Sequence, residues 1–368
     1  MSEAPELRDP KAIAGLVREI GSLAEGIGRP VTFMEVCGTH THAVAAAGLR
    51  RMLPTGVRLI SGPGCPVCVT PVEYLDRALA LAELEGTTVC TFGDLMRVPS
   101  SLSSLERAHA EGLPVEIVYS PRDAVQRARA NPSRRVVFLA VGFETTAPTI
   151  AAALAEAEEG GVDNFLILPG NKVMPPPMRA LVEDRELRVD GFLLPGHVSV
   201  LTGWECFRFL AEDYRVPGAV VGFAPADVMR GVVGLLEQVA DGRAEIVNLY
   251  SRVVSAHGNP VAARLVERFF EPVATSWRGF GEIPGSGLGL RPELAHRDAG
   301  RIEVELPEPH EPPGCACGDV LRGVIDPPEC ALFGTVCQPT TPVGACMVSS
   351  EGTCAAWFRH ERLTGAAS

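Results

Sequence analysis

VRLISGPGCPVCVTPVEYLDRALALAELEGTTVCTF, residues 57–92, decides how the rest of the chain is read. Val57–Ile60 is a short β-branched and aliphatic run that leads into the turn Gly62-Pro63-Gly64. Thr70–Glu85 follows, with Val72, Leu75, Leu79 and Ala82 at helical spacing behind Pro71, a residue favoured in a first helical turn. A second apolar run, Thr88–Phe92, closes the unit. Strand, glycine turn, helix and strand make a βαβ crossover, so the two strands are predicted to be parallel.

The same unit repeats in both directions. Val31–Val36 precedes it, and Val115–Tyr119, Val136–Val141, Phe165–Leu168, Gly191–Leu194 and Ala219–Phe223 follow. Their starts lie mostly 26 to 31 residues apart, with one gap of 21, which leaves room for one helix per connection. Pro121–Ala130 and Pro225–Ala240 fit such helices. The runs are continuously apolar rather than alternating, as in parallel sheets covered on both faces. Eight strands in two groups of four predict an α/β protein with two doubly wound parallel-sheet domains, residues 1–132 and 133–255. From about residue 256 to 368 the pattern changes. Val261–Phe270 reads as a helix, Gly279–Arg291 as a flexible linker or docking loop, and Pro312–Ala355 is dense in Cys, Pro and Gly. Such a tail cannot build an ordinary core, so a metal or a covalent link is expected to hold it.

Composition narrows the function. Of 368 residues 46% are hydrophobic, which excludes a disordered chain. The net charge is −12 without any basic block, so nucleic acid is a poor partner. No run approaches the ~20 apolar residues of a membrane span. Met1–Pro10 carries three acidic residues and no apolar stretch, so no secretory leader is expected to begin there. The expected location is the cytoplasm, where clustered thiols signify metal or redox chemistry rather than structural disulfides.

Eleven cysteines are therefore informative. In open parallel sheets ligands bind beyond the carboxyl ends of the strands, and the turns there are heavily loaded. Cys37, His40 and His42 follow the first strand, one thiol and two imidazoles that suit iron or zinc. Cys65 and Cys68 form a C-x-x-C at a strand-to-helix turn, where a helix N-terminus favours thiolate; the pair suits either dithiol–disulfide cycling or half of a soft-metal site. Asp94, Glu144 and His197 occupy equivalent strand ends, as helix caps or ligand-orienting groups. In the tail, Cys330, Cys337, Cys346 and Cys354 put four thiols in 25 residues, suited to zinc or to a [4Fe–4S] cluster. Their intervals lack the close pairs of structural zinc sites and favour the cluster. Cys315 and Cys317 form an adjoining C-x-C that suits replacement of one ligand or relay of electrons. Radical-SAM and Walker runs are absent, and Gly285-x-Gly287-x-Gly289 lacks the spacing of a dinucleotide fingerprint.

These motifs together resemble the HypD family of hydrogenase maturation factors. The stretches are MEVCGTHTHA (34–43), SGPGCPVCVTP (61–71), FGDLMRVP (92–99), VGFETTAPT (141–149), LPGHVSVLTG (194–203), GFAPADVM (222–229) and IPGSGLGLR (283–291), with the tail from CACGDVLRG to MVSSEGTCAAW. The resemblance implies two Rossmann-like domains plus a small [4Fe–4S] domain, and a part in assembling the Fe(CN)2CO group of [NiFe]-hydrogenases. It implies as partners a HypC-type small chaperone and a HypE/HypF-type pair delivering cyanide, with the hydrogenase large subunit served indirectly. Cys37 would hold the iron, an Fe(II) carrying CN and CO, with help from a cysteine of the small partner and with His40 beside it. Cys65 and Cys68 would form the redox-active pair and join Cys37 as ligands of that iron, Cys330, Cys337, Cys346 and Cys354 would form the cluster site, and His42, Asp94, Glu144 and His197 the surroundings. Two other readings stay open: an autonomous iron–sulfur thiol–disulfide oxidoreductase, and a zinc-stabilised binding protein.

Overall fold

In a computed structural model, residues 5–361 are described; Met1–Ala4, part of the stretch read for a leader, lie outside them. All eight expected strands form: β1 (Val31–Glu35), β2 (Val57–Ser61), β3 (Thr87–Thr91), β4 (Val115–Ile117), β5 (Arg135–Gly142), β6 (Phe165–Asn171), β7 (Gly191–Pro195) and β8 (Gly218–Val221). A ninth, β9 (Ile246–Asn248), is too short to leave a periodic signal. The strands build two wholly parallel sheets, in the orders β2-β1-β7-β8-β9 and β4-β3-β5-β6. Strands β3, β7 and β8 are buried along their whole length, consistent with their unbroken apolar runs.

The sheets do not divide the chain at residue 132 as expected. Both β1 and β2 lie in one sheet, β3 to β6 in the other, and the chain then returns to the first sheet for β7 to β9. One α/β unit is nested inside the other. Spacing gives the order of elements but not which edge each strand joins, and here the return is fixed at Asp190. Its N–H donates to Thr32 O at 2.7 Å, its Oδ2 accepts from Thr32 N at 2.8 Å, and β7 follows beside β1. Helices Pro10–Ile27 and Pro225–Ala240 cover one face of this sheet over Phe33, Leu193 and Val221.

The expected linker at Gly279–Arg291 is instead a strand. β10 (Phe270–Trp277) and β11 (Gly281–Leu290) form an antiparallel hairpin. Its glycines permit close packing: a Cβ on Gly287 or Gly289 would stand 2.8 Å from the Thr275 or Val273 side chain. The tip reaches back to the C-x-x-C segment, where Arg278 N donates to Val69 O at 2.9 Å. Short helices Cys317–Arg322, Ala345–Val348 and Thr353–His360 make up the tail, and the last packs against the helix Gly38–Ala46. Among the described residues no helix is long and apolar enough to cross a membrane.

Candidate functional site

Cys37 caps the N-terminus of the helix Gly38–Ala46, directly beyond β1. The turn after β2 lies against it: Gly38 N donates to Gly64 O at 2.8 Å. Gly64 leaves no room for a side chain there, since a Cβ would fall 2.6 Å from the Cys37 carbonyl carbon. Cys65 and Cys68 follow that glycine and are joined by a disulfide, with Cys65 capping the four-residue helix Pro66–Val69. In this state neither sulfur is a thiolate, so iron ligation by this pair would require its reduction.

The helix N-terminus does not make Cys37 acidic. Burial pushes its thiol up to about 12; N–H groups of His40 and Thr39 act against this, while the carboxylates of Glu35 and Glu351 add to it. Glu35 sits behind the turn, fully buried. Its Oε1 accepts from Thr41 Oγ1 at 2.7 Å and lies 3.4 Å from Arg50, and its Oε2 accepts from Cys37 N at 3.4 Å. Burial raises it to about 7, although Arg50 pulls the other way. Arg50 also donates to Ser61 Oγ at 2.7 Å and Leu59 O at 3.0 Å, and pairs with Glu361 at 2.6 Å.

His40 is buried and turns toward the neighbouring strand ends. Its Nε2 is 3.0 Å from Gly222 O, its ring stacks on Phe223 at 4.5 Å, and its Nδ1 has no partner. Burial lowers it to about 4, so the ring is neutral. His197 stacks on the same Phe223 at 4.0 Å, with one edge exposed; partial burial draws it below its ordinary value. Three strand ends, those of β1, β7 and β8, thus bring His40 and His197 around one aromatic ring. His42 does not join them. Two residues on along the helix it faces elsewhere and meets His360 of the last helix edge-on at 5.2 Å. Asp94 is exposed beyond β3, and Glu144 is buried beyond β5, where its Oε1 accepts from Met174 N at 2.7 Å.

The tail completes the site. Cys315, Cys317, Cys330, Cys337, Cys346 and Cys354 all line one small apolar cavity with Leu332, Phe333 and Met347. Cys317 and Cys346 sulfurs are 3.1 Å apart, and Val343 N donates to Cys337 Sγ at 3.4 Å. Hydrogen bonding from Cys315, and then from Cys346, holds the Cys317 thiol well below its ordinary value, with the Arg278 guanidinium adding to this. Among the described residues no three Cys, His, Asp or Glu side chains are grouped to hold a single metal ion. The tail touches both cysteine turns: Glu351 Oε1 accepts from Thr39 Oγ1 at 2.9 Å, and Cys68 Sγ lies 4.0 Å from Ala345 O.

Arg50 and Arg278 escaped the sequence reading, each a lone charged residue outside the quoted motifs; Glu35 and Glu351 stand within MEVCGTHTHA and MVSSEGTCAAW, but nothing there beyond nearness to Cys37 and Cys354 marked them as part of the site.

A family model described as "HypD: Hydrogenase formation hypA family" matches residues 11–361. The chain is similar to the hydrogenase maturation factor HypD of Rhizobium leguminosarum bv. viciae, 46% identical over 372 residues, covering 99% of this chain and 96% of that protein. It is 44% identical to its counterpart in Rhodobacter capsulatus, over 98% of each chain. Against HypD of Escherichia coli K12 it is 41% identical over 97% of each.

Proposed function

The chain belongs to the HypD family of hydrogenase maturation factors, and from that premise we propose that its Cys37 turn holds the iron on which the Fe(CN)2CO group of [NiFe]-hydrogenases is assembled. The supporting observation is the meeting of three sulfur groups: the Cys37 turn against Gly64, the Cys65–Cys68 disulfide beside it, and the cysteine-rich tail, which touches both through Glu351 and Ala345.

Iron is the substrate here. Free Cys37 is protonated at neutral pH, so Fe(II) binding displaces a proton from its sulfur. A thiolate is a soft ligand suited to iron carrying cyanide and carbon monoxide, and the buried turn keeps water away. A HypC-type small chaperone would supply a second cysteine, and a HypE-type partner the cyanide, with the hydrogenase large subunit receiving the finished group through the chaperone. This work belongs in the cytoplasm, where thiols stay reduced. Breaking the Cys65–Cys68 bond takes two electrons and two protons and yields two thiols, a two-electron store next to the iron.

Six thiols around one apolar cavity form a donor set that fits an iron–sulfur cluster. Cys330, Cys337, Cys346 and Cys354 would hold a [4Fe–4S] group, with Cys315 and Cys317 in the same walls. When bound, that group supplies low-potential electrons one at a time. Arg278 places a buried positive charge there, pairing with Glu311 and donating to Thr70 O at 2.9 Å.

Infrared spectra of the anaerobic complex with the small chaperone test this reading. CN and CO bands are expected, and Cys37→Ala should remove them while leaving the cluster absorbance intact. Full iron–sulfur content without those bands would overturn it. The formed disulfide favours a second reading, an autonomous thiol–disulfide oxidoreductase, which predicts turnover of a disulfide substrate by the isolated protein.

A further inference from the structure

A cavity of about 230 Å3 lies between the turn after β5 and the helices Gly196–Thr202 and Pro260–Phe269. Val173, Leu201, Val266 and Leu288 give it apolar walls, and neither Cys37 nor the disulfide lines it. Its described lining carries two carboxyl groups, Glu144 and Glu267, and no lysine or arginine.

Glu144 is only 9% exposed, and its Oε2 has no hydrogen-bond partner. A buried acceptor behind the turn, Asn171 Oδ1, lacks one too, although Asn171 does not line the cavity. The amide orientation is fixed by its neighbour. Thr146 Oγ1 gives its single proton to Phe143 O at 2.9 Å, so it can only accept from Asn171 Nδ2, at 3.0 Å. Lys172, the nearest base in sequence, is turned away, with Nζ 2.6 Å from Ser276 O and 3.4 Å from Thr275 Oγ1. What the site is short of is a hydrogen-bond donor, and an unsatisfied buried acceptor is costly.

We infer that this cavity binds an organic cation, a guanidinium or ammonium group on an apolar stem, with its nitrogen against Glu144 and its stem against Val173, Leu201, Val266 and Leu288. The source is either a free amine or a basic side chain of a partner polypeptide; a net charge of −12 attracts both. The N-terminus of the helix Ala147–Glu159 adjoins the site and opposes a cation, but more weakly than a charge-assisted hydrogen bond favours it. Burial raises the Glu144 carboxyl to about 7, so binding that needs the carboxylate strengthens as pH rises through 7. The other titratable groups facing it are Glu267 on the Pro260–Phe269 helix, His257 ahead of that helix, which is paired with Glu205 at 3.2 Å, and Cys206. This binding needs neither iron nor a cluster, so its outcome is separate from that of the assembly reading.

The test is a calorimetric and NMR titration of the full chain with n-butylguanidinium, with its neutral isostere n-butylurea, and with a capped tripeptide carrying a single arginine. Saturable binding of butylguanidinium is expected, weakened about tenfold or more in Glu144→Gln and at low pH. Ala263→Leu, at an exposed position of the lining, should block it by filling the cavity without disturbing the core. Binding of the free cation alone assigns a small amine; binding of the peptide as well assigns a partner's side chain. No saturable binding of either cation, equal binding of butylurea, or full binding by Glu144→Gln or Ala263→Leu overturns the inference.

Discussion

Gly64→Ala isolates the contact on which the Cys37 turn depends. The glycine is not among those with positive φ, so alanine meets no backbone strain of its own. The obstacle is space. The new Cβ would fall 2.6 Å from the Cys37 carbonyl carbon and closer still to its N and Cα, where ordinary contact begins at 3.4 Å, so one turn must retreat by more than 0.8 Å. Backbone cannot swing aside as a side chain does, and the shift also weakens the Gly38 N to Gly64 O bond of 2.8 Å. Overpacking of this kind costs about 1–3 kcal/mol and the hydrogen bond about 1 kcal/mol, so a loss of about 2–4 kcal/mol is expected. Urea denaturation measures it. Pulsed alkylation read by mass spectrometry on the Cys37 peptide gives a local readout, and labelling should quicken as the turn opens. Gly62→Ala is the comparison: its Cβ meets side chains rather than backbone, the Met34 sulfur at 2.6 Å and Val36 Cγ1 at 3.0 Å. An unchanged midpoint and unchanged Cys37 labelling in Gly64→Ala would refute the stacking of the two turns and the reasoning built on it.

Glu351→Gln keeps the Thr39 hydrogen bond and removes a carboxylate near Cys37, so the thiol should become more acidic by roughly half a pH unit; alkylation rate against pH checks this, and an unshifted profile would disprove the influence of the tail on Cys37. Glu35 is raised from 4.5 to about 7, so the folded state binds its proton more tightly than the unfolded one. Its contribution is therefore fully present below pH 4.5 and lost as pH rises through 7, up to about 3 kcal/mol; this slope in urea midpoints between pH 4.5 and 7 should flatten in Glu35→Gln. If the tail holds the proposed cluster, Cys354→Ala should lose its absorbance and loosen the tail, since metal binding and folding would be coupled there. Retained absorbance would hand its place to Cys315 or Cys317, which line the same cavity.

The strands were legible because burial on both faces leaves continuous apolar runs, and the strand-end turns because glycine and cysteine stand out there. The pairing of sheets was not legible. Asp190 clamps β7 beside β1 through two hydrogen bonds to Thr32, across 158 residues of sequence, and no local period records such a choice. The glycine-rich hairpin misled for a related reason: Gly287 and Gly289 read as flexibility, yet they serve close packing against Thr275 and Val273. Within the site, cysteines and histidines announced themselves by type, whereas Glu35 and Arg50 look like any surface pair until folding buries them.

The nesting bears on the chemistry. Because β3 to β6 form an inserted unit, the first sheet presents the turns after β1, β2, β7 and β8 at one edge, although their residues lie as far apart as Cys37 and Phe223. The tail then contacts two of these turns at once, through Glu351 to Thr39 and Ala345 to Cys68. A tail whose cysteines failed to gather would release both contacts together. Loss of the tail's order is therefore expected to expose Cys37 as well as the disulfide, and Cys354→Ala should quicken alkylation of Cys37 even though the two residues are 317 positions apart. Labelling of Cys37 that stays slow while the tail becomes protease-sensitive would show that the first sheet holds the Cys37 turn on its own.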